Sequence, residues 1–192
     1  MTFICLFAMQ FSQAQDRAVL PFQEIGAYPS AFTPENVIIR MISGLGYRYY
    51  WASKELRLED LNYRPSPEAQ STLQTLQHLY GLSEVVKNTS TNAPNIRPQD
   101  FSQMSYQELR EGTLKNLQEA IEGIQKLETG TLETHTVRFQ RSEKTTTFPY
   151  WHTLNGPLSD ALYHTGQLVS FRRTTGNPID PKVNVFMGKN SP

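Results

Sequence analysis

The sequence predicts an all-α fold, an up-and-down four-helix bundle with a long crossover before the last helix. Three observations lead to this prediction. Helix-start signals precede three segments, apolar residues recur three or four positions apart in four segments, and stretches rich in Pro, Gly, Asn and Thr separate them. Four amphipathic helices bury their apolar faces by packing as a bundle. A short β-ribbon in the crossover would be an accessory to that bundle.

Length and charge restrict the class of protein. The chain has 192 residues, with 18 Lys and Arg, 18 Asp and Glu, and a formal net charge of zero. This length suits one domain, which can bury an adequate core without disulfides or a structural metal. The balanced charge excludes a strong electrostatic attraction to DNA, RNA or anionic membranes, so we expect no nucleic-acid partner. We expect no membrane span, because no segment approaches the length that crosses a bilayer.

The N-terminal residues resemble a secretory signal. An apolar run at 3–9 is followed by Ser12-Gln13-Ala14, which predicts cleavage after Ala14, although no Lys or Arg precedes the run. Residues 1–14 are therefore predicted to be a signal peptide, and the protein periplasmic or secreted. The alternative is a cytoplasmic protein in which this run is a buried strand or helical turn. Cys5 is the only cysteine, so a cleaved chain would have neither disulfides nor thiolate ligands.

The first helix is predicted over residues 34–60. Thr33 can cap the free amides of the first turn, and Pro34 fits the first helical position. The apolar stripe that follows consists of Ile38, Met41, Ile42, Leu45, Tyr49, Ala52 and Leu56. Gly44 and Gly46 lower the helix propensity and indicate close packing.

The second helix is predicted to begin at the similar signal Ser66-Pro67-Glu68 and to continue to about Val86. Its apolar stripe consists of Ala69, Leu73, Leu76 and Tyr80. The following segment, 88–100, is rich in Asn, Thr and Pro, which predicts a loop.

The third helix is predicted over residues 105–129. Ser105 and Glu108 form a capping-box pattern, and Gly130 is a plausible terminator. Leu114, Leu117, Ile121 and Ile124 alternate three and four positions apart, as in helix bundles. This spacing is the strongest helical signal in the chain.

The crossover and the last helix follow. Residues 131–148 contain six threonines and alternate in polarity, which predicts a short β-ribbon or an extended segment. The fourth helix is predicted to begin near Gly156, with a helical lead-in from Pro149, and to end before Gly176. Arg172 near its end suits the negative pole of the helix dipole.

The predicted domain organisation has three parts after the signal peptide. Residues 15–32 form an irregular segment, residues 33–178 the helical bundle domain, and residues 179–192 an extended tail. Four aromatic residues give the first helix apolar side chains on several faces: Tyr47, Tyr49, Tyr50 and Trp51. They would cover a partner in a homodimer, or they would pack against loops such as the N-terminal segment.

A candidate metal site lies on the fourth helix. Asp160 and His164 are four residues apart, so both side chains leave one face, and Gln167 extends that line by another turn. A carboxylate oxygen and an imidazole nitrogen at this spacing can chelate a divalent cation, as ligands on the inner faces of bundles do. The alternative is a simple hydrogen bond or ion pair on the helix surface.

The other histidines supply the candidates for a further ligand. His78, in the middle of the second helix, is the best candidate for a third ligand, although it points away from the apolar stripe and towards the side of Leu82 and Val85. His152 would be a fourth ligand, a base that lies just outside the ligands, or a residue that packs at the helix start. His135 lies in the crossover and is expected to be exposed.

Two short motifs resemble those of a known family. Leu76-Gln77-His78-Leu79 on the second helix and His164-Thr165-Gly166-Gln167 on the last resemble the DinB/YfiT-like superfamily of metal-binding four-helix bundles. The resemblance covers residues 33–176. It implies a divalent ion, Zn, Ni, Mn or Fe, bound by one histidine of the second helix and two residues of the last.

Carried over, the implied ligands are His78, Asp160 and His164. Asp160 departs from the family pattern, which commonly has His there, and this raises the alternative that the site has decayed. Two imidazoles and one carboxylate still leave coordination positions for water or substrate. Characterised relatives include thiol-dependent S-transferases and isomerases, but export would separate this chain from the cytoplasmic thiol pool.

These observations predict an exported, divalent-metal-dependent enzyme of the transferase or hydrolase type that acts on a small-molecule substrate. Gln167 or His152 would orient the bound group, and no catalytic residue is assigned. The alternative is a non-catalytic bundle that serves as a binding or self-association module, with a structural or decayed metal site.

Overall fold

A computed structural model describes residues 19–192. The predicted signal peptide, residues 1–14, lies outside this part of the chain, as does Cys5. The helices are α1 (Pro34–Ala52), α2 (Leu58–Asn62), α3 (Thr72–Ser90), α4 (Tyr106–Gln125), α5 (Trp151–Thr153) and α6 (Ser159–Thr174). The strands are β1 (Asn95–Arg97), β2 (Thr136–Arg141) and β3 (Lys144–Pro149).

The four long helices enclose the core. α3 packs on α4 and α6, and α1 packs on α4 and α6, so each long helix has two long neighbours. Fully buried side chains from all four meet in one apolar cluster, among them Ile42, Leu76, Leu114 and Leu168. Burial of such side chains contributes roughly 1.5–3 kcal/mol each, which makes this cluster the main source of stability.

The prediction of an all-α fold is wrong, because the structure contains a three-stranded mixed sheet. β2 and β3 form an antiparallel hairpin, and β1 pairs with β2 in parallel. The hairpin lies in the crossover, the segment for which the sequence predicts a short β-ribbon or an extended segment. β1 lies in the segment predicted to be a loop, and its three residues are too few to show alternation. Its pairing depends on a strand some forty residues further along the chain.

The first helix ends earlier than predicted. Ser53 follows the last residue of α1, and its hydroxyl donates to the Tyr49 carbonyl at 2.7 Å. Glu55 then has a positive φ of 57°, which helical backbone does not allow, and the short α2 begins after Arg57. The apolar spacing includes Leu56 because its side chain is buried, although the backbone at Leu56 is no longer helical.

The second helix begins later than predicted. The Ser71 hydroxyl accepts from the Gln74 amide, and the Gln74 side chain accepts from the Ser71 amide, which closes a capping box at the start of α3. The start signal at Ser66 belongs to a turn. The starts of α1 at Thr33 and of α4 at Ser105 agree with the predicted caps.

The last helix begins after an irregular lead-in. α5 is followed by a π-helical turn, Leu154–Leu158, in which Gly156 leaves helical geometry with ψ of −110°. α6 then continues regularly to Thr174, ahead of Gly176 with its positive φ of 73°. No helix among residues 19–192 is long and apolar enough to cross a membrane.

Two buried charges join the end of α6 to α1 and α2. Asp60 in α2 is 1% exposed and accepts hydrogen bonds from the side chains of Arg57, Thr175 and Asn177. Arg172 in α6 donates to three carbonyls at the end of α1, namely those of Trp51, Ala52 and Lys54, at 2.8–3.1 Å. Arg172 therefore compensates the dipole of α1 as well as that of its own helix.

The aromatic residues of α1 pack within the chain. Tyr47, Tyr49 and Tyr50 are buried, and the Tyr47 hydroxyl donates to Asn190 in the tail at 2.8 Å. The Trp51 indole N–H donates to the Gln23 carbonyl of the N-terminal segment at 3.2 Å. These contacts agree with packing against flanking segments, so the homodimer stays a prediction without support from these side chains.

Candidate metal centre

Three predicted site residues converge where α3 packs on α6. His78 lies in the middle of α3, Asp160 in the first turn of α6 and His164 one turn later. The Asp160 carboxylate lies between the two rings: Oδ2 is 3.1 Å from His78 Nε2, and Oδ1 is 3.3 Å from His164 Nε2. The two imidazole centroids are 4.6 Å apart with the rings nearly perpendicular. His78 shares one face of α3 with Leu82 and Val85, as predicted, and this face is turned to the site.

Gln167 fixes the orientation of the His164 ring. Its side-chain oxygen lies 2.7 Å from His164 Nδ1, so Nδ1 donates and the Nε2 lone pair is directed at Asp160. On its other side, the Gln167 amide nitrogen donates to the Tyr163 hydroxyl at 3.4 Å. Two acceptors facing each other, Nε2 and Oδ1, require a cation or a proton between them.

The three donors suit a divalent cation. They supply one ligand atom each, and all three atoms lie within 4.8 Å of one another. Donors around a four-coordinate zinc ion with bonds near 2.0–2.1 Å are about 3.3 Å apart, so the three side chains would move closer together around a bound ion. Among residues 19–192, no other group of three His, Cys, Asp or Glu side chains meets this condition.

The site opens on a cavity of about 610 Å³. His78 and Asp160 contribute to its wall and are 40% and 42% exposed, whereas His164 is 17% exposed and lies behind them. Part of the wall is apolar, formed by Leu82, Val85, Phe101, Phe139 and Pro157. Another part carries side-chain amides, those of Gln70, Gln74, Gln77 and Gln99. A mixed wall of this kind is typical of small-molecule sites.

The remaining histidines lie elsewhere. His152 is exposed and packs against Phe148 with ring centroids 5.1 Å apart, so it does not belong to the cluster of donors. His135 is buried and its Nδ1 lies 3.1 Å from the Thr89 carbonyl, so the expectation that it is exposed is wrong. Gln167 orients His164 itself.

Sequence reasoning missed Arg97, which lines the same cavity from β1. Its guanidinium lies over the Phe139 ring at 5.5 Å from the centroid. Burial lowers the pKa of Arg97, the nearby Glu84 charge raises it, and Arg141 lowers it further. No sequence signal marked this residue, because its place in the cavity follows from the unpredicted parallel pairing of β1.

Comparisons with known proteins identify the fold. No protein-family model matches the chain, and no curated protein matches its sequence. The structure is similar to the crystal structure, at 2.30 Å resolution, of the DinB-like protein YjoA from Bacillus subtilis. The TM-score is 0.56 at 13% identity, over 76% of this chain and 96% of that chain. The chain therefore has a DinB-like fold, as its two motifs indicated; at this identity the likeness concerns the fold alone.

Proposed function

We propose that the protein is a divalent-metal-dependent enzyme of the transferase or hydrolase type, with His78, Asp160 and His164 as metal ligands. The observation that carries the proposal is the convergence of these three side chains, from two helices, beside an open cavity. The DinB-like fold and the motif around His164 are consistent with it.

The roles of the chain's own residues follow from the contacts. His164 is held by Gln167 with Nε2 directed to the site, and Asp160 reaches both rings. A hydrogen bond to the ring nitrogen that does not face the metal fixes the tautomer and orientation of a histidine ligand. A divalent ion bound there would act as a Lewis acid and lower the pKa of a bound water or substrate heteroatom. The apolar wall beside His78 would exclude water from the bound substrate.

Exposure favours a catalytic over a structural role for the site. Structural metal sites are usually closed by four protein ligands, whereas catalytic sites keep a position open. Here three ligands are available among the described residues, and two of them face the cavity. A site that only stapled the helices would gain nothing from this exposure.

The test is the metal content of three purified proteins. We expect about one divalent ion per chain in the reconstituted wild type and in His152→Ala, and less than about a tenth of that in His164→Ala. His152→Ala is the matched control, because it also removes a histidine near the start of α6 but not a donor of the cluster. Helical circular dichroism should be the same in all three. Equal metal in both variants would remove the ligand assignment, and no metal in any of them would remove the proposal.

The small-molecule substrate and the export of the protein are part of the same proposal. The cavity volume suits a substrate of small-molecule size. Export rests on the apolar run at 3–9 and the small residue Ala14. The N-terminal mass of the protein isolated from its own cells decides it: cleavage after Ala14 is expected, and an intact Met1 would contradict it.

A further inference from the structure

Three cations lie side by side across the sheet that borders the cavity. Arg97 of β1 is in register with Arg141 of β2, and Arg141 is in register with Lys144 of β3. Residues in register project from the same face of a sheet. We call these three residues the cationic row. Like charges placed directly opposite each other repel, so an anion that joins the row would relieve this repulsion.

No carboxylate within the described residues neutralises the cationic row. None of its three members has a carboxylate oxygen within 4.0 Å among residues 19–192. Glu143, in the hairpin turn directly before Lys144, forms no ion pair among the described residues with Arg97, Arg141 or Lys144. Two further acids near the cavity are engaged elsewhere. Glu84 accepts a hydrogen bond from the Gln99 amide at 2.8 Å, and Asp100 accepts from the Ser102 backbone amide at 2.8 Å. The row is thus free to receive an anion from outside the chain.

Phe139 connects the cationic row to the cavity. Its ring lines the cavity together with Arg97, and it also lines a groove with Arg141 and Lys144. The row therefore begins in the cavity wall and extends outward along one face of the sheet. The donor cluster on α3 and α6 lies in the wall of the same cavity. The cavity presents a cation-binding group in one part of its wall and an anion-binding group in another.

We propose that the cavity binds a small molecule carrying an anionic group, a carboxylate or a phosphoryl group, which Arg97 and the cationic row recognise while another part of the molecule faces His78 and Asp160. This inference deepens the proposed function by naming the substrate class, and its second half rests on that function. A guanidinium binds carboxylates and phosphates through paired hydrogen bonds, and Arg97 is already positioned by Phe139.

The first experiment tests anion binding without metal. Chelator-treated protein is titrated with inorganic phosphate, and backbone amide shifts are followed by nuclear magnetic resonance. We expect shifts in β1 and in β2, with affinity reduced about ten-fold or more in Arg97→Gln. Arg138 directly precedes Phe139 in β2, so the Arg138 side chain lies on the opposite face of the strand. Arg138→Gln removes the same charge from that other face and is therefore the matched control. Its affinity should stay within two-fold of wild type.

The second experiment tests whether the anion and the metal act on one ligand. The cobalt-loaded protein is titrated with acetohydroxamate and with monohydroxamates that carry a carboxylate two to four methylenes away, and the visible spectrum reports binding. We expect the best carboxylate compound to bind about ten-fold more tightly than acetohydroxamate. Arg97→Gln should lose this preference while keeping its cobalt content and its affinity for acetohydroxamate.

The outcomes separate the two proposals. A second groove, between α1 and α6, is lined by Arg40 and Arg48. Phosphate shifts that are unchanged in Arg97→Gln, or that are confined to this second groove, would overturn the anion inference whatever the metal does. Phosphate binding that depends on Arg97 in a protein that takes up no cobalt would support the anion site and overturn the metal-dependent function. Cobalt binding without any preference for the carboxylate compounds would keep the metal function and overturn the shared substrate.

Discussion

Gln167 shows how one neutral side chain determines the chemistry of a charged site. It accepts from His164 Nδ1, and this leaves the Nε2 lone pair directed at Asp160. Without that acceptor the ring could turn, and either nitrogen could carry the proton. The direction of His164 Nε2 therefore depends on a residue whose side-chain hydrogen bonds go to His164 and Tyr163 and not to His78 or Asp160.

We predict that Gln167→Ala weakens zinc binding about 10- to 100-fold, the usual effect of removing such a partner. Gln167→Glu keeps an oxygen acceptor at the same position and should retain affinity within a few-fold of wild type. Competition with a chromophoric chelator measures both. Equal affinity of Gln167→Ala and wild type would mean that the His164 ring is held by its packing alone.

The side chain of Asp60 acts at the scale of an element, because it fastens α2 to the end of α6. Burial opposes its ionisation, but hydrogen bonds from Arg57, Thr175 and Asn177 outweigh this and hold the pKa of Asp60 well below its ordinary value. The unfolded chain has a pKa near 3.9 at this residue. A lower pKa in the folded state adds stability above that pH, and the added stability is lost as the pH falls towards the folded value.

We predict that Asp60→Asn costs about 2 kcal/mol of unfolding free energy at pH 7, because it weakens the contacts with Arg57. The difference from wild type should shrink steadily as the pH is lowered from about 5 to 2. Urea unfolding across this pH range provides the measurement. A difference that is independent of pH would show that the carboxylate charge contributes nothing.

Two glycines of α1 that look equivalent in sequence have different surroundings. A Cβ at Gly44 would meet only the flexible end of Arg48 at 3.3 Å. A Cβ at Gly46 would lie 2.5–2.8 Å from three carbon atoms of the Phe22 ring, which is too close. Gly46 therefore permits the N-terminal segment to pack on α1, as the predicted close packing requires, while Gly44 does not.

We predict opposite effects of alanine at these two positions. Gly44→Ala should stabilise the protein by up to about 1 kcal/mol through helix propensity. Gly46→Ala should destabilise it by about 1–2 kcal/mol, because displacing Phe22 loses more burial energy than the propensity gain returns. Urea midpoints with unchanged m-values test both. A stabilising Gly46→Ala would contradict the packing of Phe22 on α1.

At the scale of the whole molecule, the donor cluster does not belong to the buried apolar core. The buried apolar cluster draws on all four long helices, and the three donors sit at the edge of it with partial exposure. We therefore expect the chain to fold without a metal, and a metal bound at the donor cluster would add stability by mass action.

We predict that chelator-treated protein keeps its helical circular dichroism and unfolds cooperatively. At free metal 100 to 1,000 times the dissociation constant, the metal should add about 3–4 kcal/mol to the unfolding free energy. Thermal and urea unfolding with and without chelator measure this. Loss of the helices on chelation would indicate a structural staple instead.

What the sequence could predict depended on how local the signal is. The cap at Thr33 and the capping box at Ser105 lie beside the helices they start, and both were identified. The spacing of Asp160 and His164 likewise needs only one helix. The end of α1 was missed because Leu56 continues the apolar period after the backbone has left the helix.

The parts that could not be predicted depend on distant pairings. β1 is a strand only because β2 lies beside it, and three residues carry no pattern of their own. The place of Arg97 in the cavity is a consequence of that pairing. His78 was selected by its residue type and by a resemblance, since the helical wheel alone placed it off the apolar stripe; only the packing of α3 on α6 explains its position.

Arg172 has a consequence for how the chain opens. Its guanidinium donates hydrogen bonds to the carbonyls at the end of α1, and its Nε also donates to the Asn177 carbonyl beyond α6 at 2.8 Å. If the last turn of α1 frayed, the buried Arg172 at the end of α6 would lose its carbonyl acceptors and keep its positive charge. The two helix ends, more than a hundred residues apart in sequence, should therefore open as one cooperative unit, and their amide hydrogens should exchange with the same free energy of opening.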